Sequence, residues 1–147
     1  RPMSQGTRVH QLALYVIFES PLQMLCDAPT AYRREERCAR FISRIPTTWD
    51  ETRALVASVG EELVLARRKG PVWYLAALTN WSPRSLQVPL SFLPQGPFRM
   101  EWVADGPNAG RMAEDHRWGD ESVDQSRTLT LDLAPGGGWA GILRPEK

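Results

Sequence analysis

The feature that most restricts this fold is a period of two. In "SLQVPLSF", Leu86, Val88, Leu90 and Phe92 fall on one side, and in "FRMEWVADG", Phe98, Met100 and Trp102 do. In "TLTLDLAPGGGWAGIL", Leu129, Leu131 and Leu133 alternate before a glycine turn and a last strand through Trp139 and Ile142. Successive strand side chains point to opposite faces, so these are strands with one face covered. "ELVLARRKGPVWYLAALTN" adds two more, joined at Lys69-Gly70 in a hairpin signal, and Asp105-Gly106-Pro107 marks a further turn. Short strands punctuated every ten residues or so predict an antiparallel β-sandwich.

Ahead of Trp49 the spacing is helical. Val9, Leu12, Ala13, Val16 and Ile17 share one face, and Thr7 is placed to cap it, although His10 stands where a capping box would carry an acid or amide. Leu14, Tyr15 and Phe18 lie off that stripe, so this helix must be covered on more than one side. Pro21 stops it, and "LQMLCD" reads as a short buried strand. Thr30 opens a second helix with Tyr32, Cys38, Phe41, Ile42 and Ile45 on a ragged apolar side, Glu36 and Arg40 as an i,i+4 pair, and Pro46 at its end. Helix, strand, helix is the unit that α/β folds repeat, and one such unit cannot bury its own faces. The first part therefore reads as the closing unit of a larger α/β domain, with the boundary between Pro46 and Glu51.

With 147 residues, 42% hydrophobic and 24% charged, the chain has the makeup of one globular domain with a piece of another. A net charge of +1 gives no electrostatic footprint for nucleic acid or an anionic membrane. The longest apolar run, Leu12 to Phe18, falls well short of the roughly 20 residues that span a bilayer. Arg1 opens the chain without a charged-then-apolar leader, so no signal peptide is read here.

Chemistry-bearing motifs are sparse. Phosphate loop, GxSxG elbow, HExxH and EF-hand patterns are lacking, and "APGGGWAG" reads as a tight turn between the last two strands. Cys26 and Cys38 read as two buried thiols, without the CxxC spacing or nearby histidine of a metal site. His10 and His116 read as structural, and "AEDHRWGDES" as a solvated loop. Trp73, Trp102 and Trp139 belong to strand patterns and to the core. Trp49, Trp81 and Trp118 fall in connections, where an exposed indole can stack on a sugar or fill a protein interface; Trp81 and Trp118 are the candidates for that role. Asp27 closes "LQMLCD". At the carboxyl end of a barrel strand it would face substrate, whereas its alternative role is to cap the following helix. Glu19 lies at the opposite, stabilising end.

The segments "TRVHQLALYVIFESPLQMLCDAPTAY", "FISRIPTTWDETRALVASVGEELVLARRKGPVWYLAALTNWSPRSLQVPLSFL" and "LAPGGGWAG" together resemble the carboxyl-terminal part of glycoside hydrolase family 97, with Gly96 to Arg127 matching least well. The resemblance implies an α-glucosidase-like or α-galactosidase-like parent with a central (β/α)8 barrel. Residues 1–48 would then be the last α-β-α elements of that barrel, and 49–147 a β-sandwich for bracing or oligomerisation. It also implies a calcium ion and an oligosaccharide substrate for the parent, a periplasmic or secreted setting, and as partners the remainder of the barrel and a homo-oligomer. The family's catalytic glutamates and calcium ligands lie upstream, and no position here matches their motifs. No catalytic residue, metal site or cofactor is therefore predicted in this chain, and alone it is predicted to be inactive. A non-catalytic carbohydrate-binding β module is the alternative.

Overall fold

The computed structural model describes residues 6–17, 36–58 and 60–146. Helices α1 (Arg8–Ile17) and α2 (Glu36–Ser43) precede strands β1 (Glu51–Ser58), β2 (Glu62–Lys69), β3 (Val72–Thr79), β4 (Arg84–Pro89), β5 (Phe98–Asp105), β6 (His116–Val123), β7 (Thr128–Leu133) and β8 (Gly138–Pro145). "LQMLCD", with Cys26 and Asp27, lies outside the described residues, as do Glu19, Pro21 and Thr30.

Six strands form one sheet in the order β1-β2-β3-β8-β5-β6, and β4 with β7 forms a second. Every pairing is antiparallel. The period of two then decides what each face meets. Trp73, Leu75 and Ala77 of β3, with Phe98, Met100, Trp139 and Leu143, face Val88, Leu129, Leu131 and Leu133 of the small sheet. The alternate residues Tyr74, Ala76, Val103, Ala140 and Ile142 face the other way, onto Val9, Leu12, Ala13 and Val16 of α1 and onto Cys38, Phe41 and Ile45. The result is three layers: helices, large sheet, small sheet.

The sandwich is as predicted, and the alternation in β4 and β7 carries through to burial, as it does in β5 as far as Met100, beyond which Val103, Ala104 and Asp105 are all buried. Two strands escaped the sequence reading. β1 is one edge of the large sheet and bulges between Ala54 and Val56. β6 is the other edge and comprises much of the segment expected to be a solvated loop. His116–Val123 pairs with β5 along its whole length, so its charges belong to an edge strand, Arg117 and Glu121 on one face and Asp120 on the other. Trp118 accordingly lies on a strand and not in a connection.

Gly119 explains how this polar edge is held. It stands opposite Trp102, and a Cβ on it would overlap the Trp102 indole, which packs across the glycine. Gly119→Ala is therefore expected to cost about 1–3 kcal/mol through overpacking, read as a lower urea midpoint with little change in slope.

Candidate functional site

The seam between α1 and the large sheet carries an unusual share of the buried polar groups. Thr7, Arg67, Thr79 and Asp105 are the buried polar or charged residues among those described, and three of them touch or flank the ends of α1. At the start of the helix the Thr7 hydroxyl oxygen accepts from His10 N at 3.1 Å, the cap that the sequence predicts. The same hydroxyl donates to Asp105 Oδ1 at 2.7 Å, across 98 residues of sequence. Asp105 Oδ2 accepts from the backbone N–H groups of Ala134 at 2.9 Å and Gly138 at 3.0 Å. One carboxylate thus joins the helix cap, the end of β5 and the β7–β8 turn. Burial pushes the Asp105 carboxyl above the ordinary aspartate range, while the Thr7 hydroxyl and the two amides pull it back.

The glycine turn is shaped by this contact. Gly136 has φ +61°, and a Cβ on it would come within 2.7 Å of the Trp81 ring. A Cβ on Gly137 would overlap the Asp105 carboxylate, and one on Gly138 would lie 2.7 Å from the His10 Cα. Without side chains, the turn lets the helix start lie directly on the backbone, where Thr7 N donates to Gly136 O at 2.9 Å. His10 Nδ1 sits 3.1 Å from Gly137 O, and since a carbonyl only accepts, the ring nitrogen donates there.

At the other end of α1, Arg67 Nη1 donates to Val16 O at 3.1 Å, and its guanidinium lies 5.3 Å from the Trp49 ring centroid. A helix is partly positive at its start and partly negative at its end. The buried anion and the buried cation each stand at the end that favours them.

The second helix is fastened by a different set. Arg44 Nη2 reaches Glu101 of β5 at 2.9 Å, with Arg37 at 3.9 Å from the same carboxylate. The Tyr74 hydroxyl donates to Arg44 O at 3.2 Å, and burial pushes its phenol upward. Trp118 stands edge-on to Phe41 at 5.5 Å, with the Arg37 guanidinium 4.6 Å from its ring centroid. Its indole is half-buried in this contact. Trp49, although in a connection, packs edge-on to Tyr74 at 5.2 Å. Trp81 stays 64% exposed on the β3–β4 connection.

Sequence reasoning placed Trp81 and the Thr7 cap but missed Asp105 and Arg67. The Asp-Gly-Pro signal marks a turn without revealing that its aspartate is inward, and Arg67 sits beside Arg68 and Lys69 in what looks like a solvated run. Among the described residues no three His, Cys, Asp or Glu side chains gather as metal ligands would. Asp105 does not suit calcium either, because its oxygens face three hydrogen-bond donors.

The family model described as glycosyl-hydrolase 97 C-terminal, oligomerisation, matches residues 48–144. The chain is 48% identical over 139 residues to a retaining α-galactosidase of Bacteroides thetaiotaomicron, a match covering 95% of this chain and 21% of that protein. A glycoside hydrolase family 97 enzyme of Pseudoalteromonas sp. strain K8, solved in complex with acarbose, superposes with a TM-score of 0.93 at 37% identity, covering 97% of this chain and 23% of that one. A β-arabinopyranosidase structure matches with a TM-score of 0.79 at 31% identity, covering 93% and 21%. The chain spans 21% and 20% of the length of two of the curated relatives it matches.

Proposed function

The chain belongs to the glycosyl-hydrolase 97 C-terminal family, and on that premise we propose that it closes, braces and assembles a glycoside hydrolase acting on α-glycosidic bonds. Residues 1–48 serve in this reading as the last α-β-α elements of the catalytic barrel, and 49–147 as the β domain. The observation that carries it is the double fastening of α1, with Asp105 at its start and Arg67 at its end. A helix secured at both ends against a stiff six-stranded sheet transmits position from one body to the next.

Hydrolysis of a glycosidic bond calls for two carboxyl groups across the bond, about 5 Å apart for retention or roughly 6.5–9.5 Å for inversion. Asp105 is committed to three donors within the seam. The reactive pair is therefore assigned to the parent's upstream residues, and so is the calcium ion, which the described residues here do not fit. The relationship to a retaining α-galactosidase at 48% identity supports α-galactosides as the first substrates to try.

The purified chain is expected to release no nitrophenol from aryl α-galactosides or α-glucosides above the rate of a buffer control. Turnover that co-purifies with the chain through successive columns would overturn the assignment of the reactive acids.

A further inference from the structure

Trp81 is 64% exposed and Met112 63%, the two exposed large apolar side chains among the described residues. They are 31 positions apart in sequence yet lie at one end of the sandwich. The Trp81 ring rests on Gly136. Pro135, beside Gly136, lies 3.8 Å from where a Cβ of Gly110 would stand. Gly110 belongs to the same turn as Met112, whose N–H donates to Asn108 O at 2.8 Å. Between the Gly110 turn and the Pro135 turn, with Trp81 and Met112 outside its lining, is an open depression of about 510 Å³, lined in part by Asp105, Pro107, Leu133 and Pro135, with Arg117 and Asp132 of opposite charge. Neither makes an ion pair among the described residues; Arg117 instead lies 5.6 Å from the Trp102 ring centroid.

We infer that this end of the sandwich, centred on Trp81, Pro135 and Met112 and flanked by Arg117 and Asp132, is the surface on which a second copy of this chain docks. The inference rests on the assembly role proposed above and gives it a place. A two-fold interface sets one patch against itself, so a patch bearing one available cation and one available anion is self-complementary, Arg117 of each copy meeting Asp132 of the other. Tryptophan, methionine and arginine are the residues that such interfaces concentrate. The indole is also presented on a fixed support. Asn80 Oδ1 accepts from Ser82 N at 2.9 Å, Asn80 Nδ2 donates to Gly60 O at 3.0 Å, and Asn80 O accepts from Gly136 N at 2.7 Å. Little conformational freedom remains for docking to remove.

The test is the mass of the 147-residue chain by light scattering over a range of concentrations. The chain should form dimers, Trp81→Ser with Met112→Ser should raise the dissociation constant about thirtyfold or more, and circular dichroism should stay unchanged because both side chains are exposed. Arg117→Glu should weaken the dimer, and Arg117→Glu with Asp132→Arg should restore it, which no effect on folding alone would produce. Dimers indifferent to all of these changes overturn this surface and leave the assembly role standing. A chain that remains monomeric at every concentration overturns the surface and self-assembly together.

Discussion

Asp105→Ala is expected to cost about 3–5 kcal/mol of folding stability, because three buried donors lose their acceptor at about 1–3 kcal/mol each and the losses are not fully additive. The Thr7 hydroxyl and the amides of Ala134 and Gly138 lose their acceptor at once, around a residue that is only 5% exposed. Asp105→Asn should cost less, about 1–3 kcal/mol, because its amide oxygen serves one side of the cluster while its NH2 group confronts donors on the other. Urea unfolding at neutral pH measures both, and an alanine variant within about half a kcal/mol of the parent, the usual size of a surface substitution, would remove the seam from the account of stability. The pH dependence has a definite sign. Burial raises the Asp105 carboxyl in the folded chain, so the folded state binds its proton more tightly than the unfolded state does. The contribution of this group is fully present below the unfolded value and declines as pH rises through the folded one. The stability difference between parent and Asp105→Asn should therefore shift against the parent as pH rises through the acid range, while exposed carboxylates common to both cancel.

The second large effect concerns the helices as a layer. A chain beginning at Thr48, close to the start of the family match, is expected not to reach the packed fold as a monomer. It would leave Tyr74, Ala76, Val103, Ala140 and Ile142 bare and lose the burial of Val9, Leu12, Val16, Phe41 and Ile45. At about 1.5–3 kcal/mol for each large apolar side chain fully buried, five such losses match the whole 5–15 kcal/mol stability of an ordinary domain. Dye binding to exposed apolar surface, with loss of the near-ultraviolet tryptophan signal, would report this state. A shortened chain that unfolds cooperatively at the parent's midpoint would show instead that the sheet needs no cover.

These effects also mark what could be read from residues alone. Where one face is covered and the other wet, alternation is visible, and β4 and β7 were legible for that reason, whereas β5 was legible from Phe98, Met100 and Trp102 although its far end is buried on both faces. Edge strands lack that asymmetry. β1 is exposed or half-buried throughout, and β6 keeps a single fully buried residue, Val123, so no period of two survives in either. Trp118 was placed in a connection for want of that strand. Helix α1 read correctly as a face needing cover, and the cover includes the outer side of the β domain's own sheet. Leu14, Tyr15 and Ile17, on or beside the off-stripe positions, are half-buried. Asp105 was hidden because an inward aspartate at a turn has the same letters as an outward one. Only the third dimension brings Thr7 and the triple glycine to it.

The position of β8 bears on how such a molecule is made. The last strand along the described chain lies in the middle of the large sheet, between β3 and β5. Chains leave the ribosome from the amino terminus onward, so β1–β3 and β5–β6 emerge as separate half-sheets, and both helices wait for a floor that β8 completes. Closure must bridge long sequence separations, which makes it a slow event. A premature stop codon just before Gly138 would take away the central seam of the sheet, leaving translated halves with nothing between them to hold.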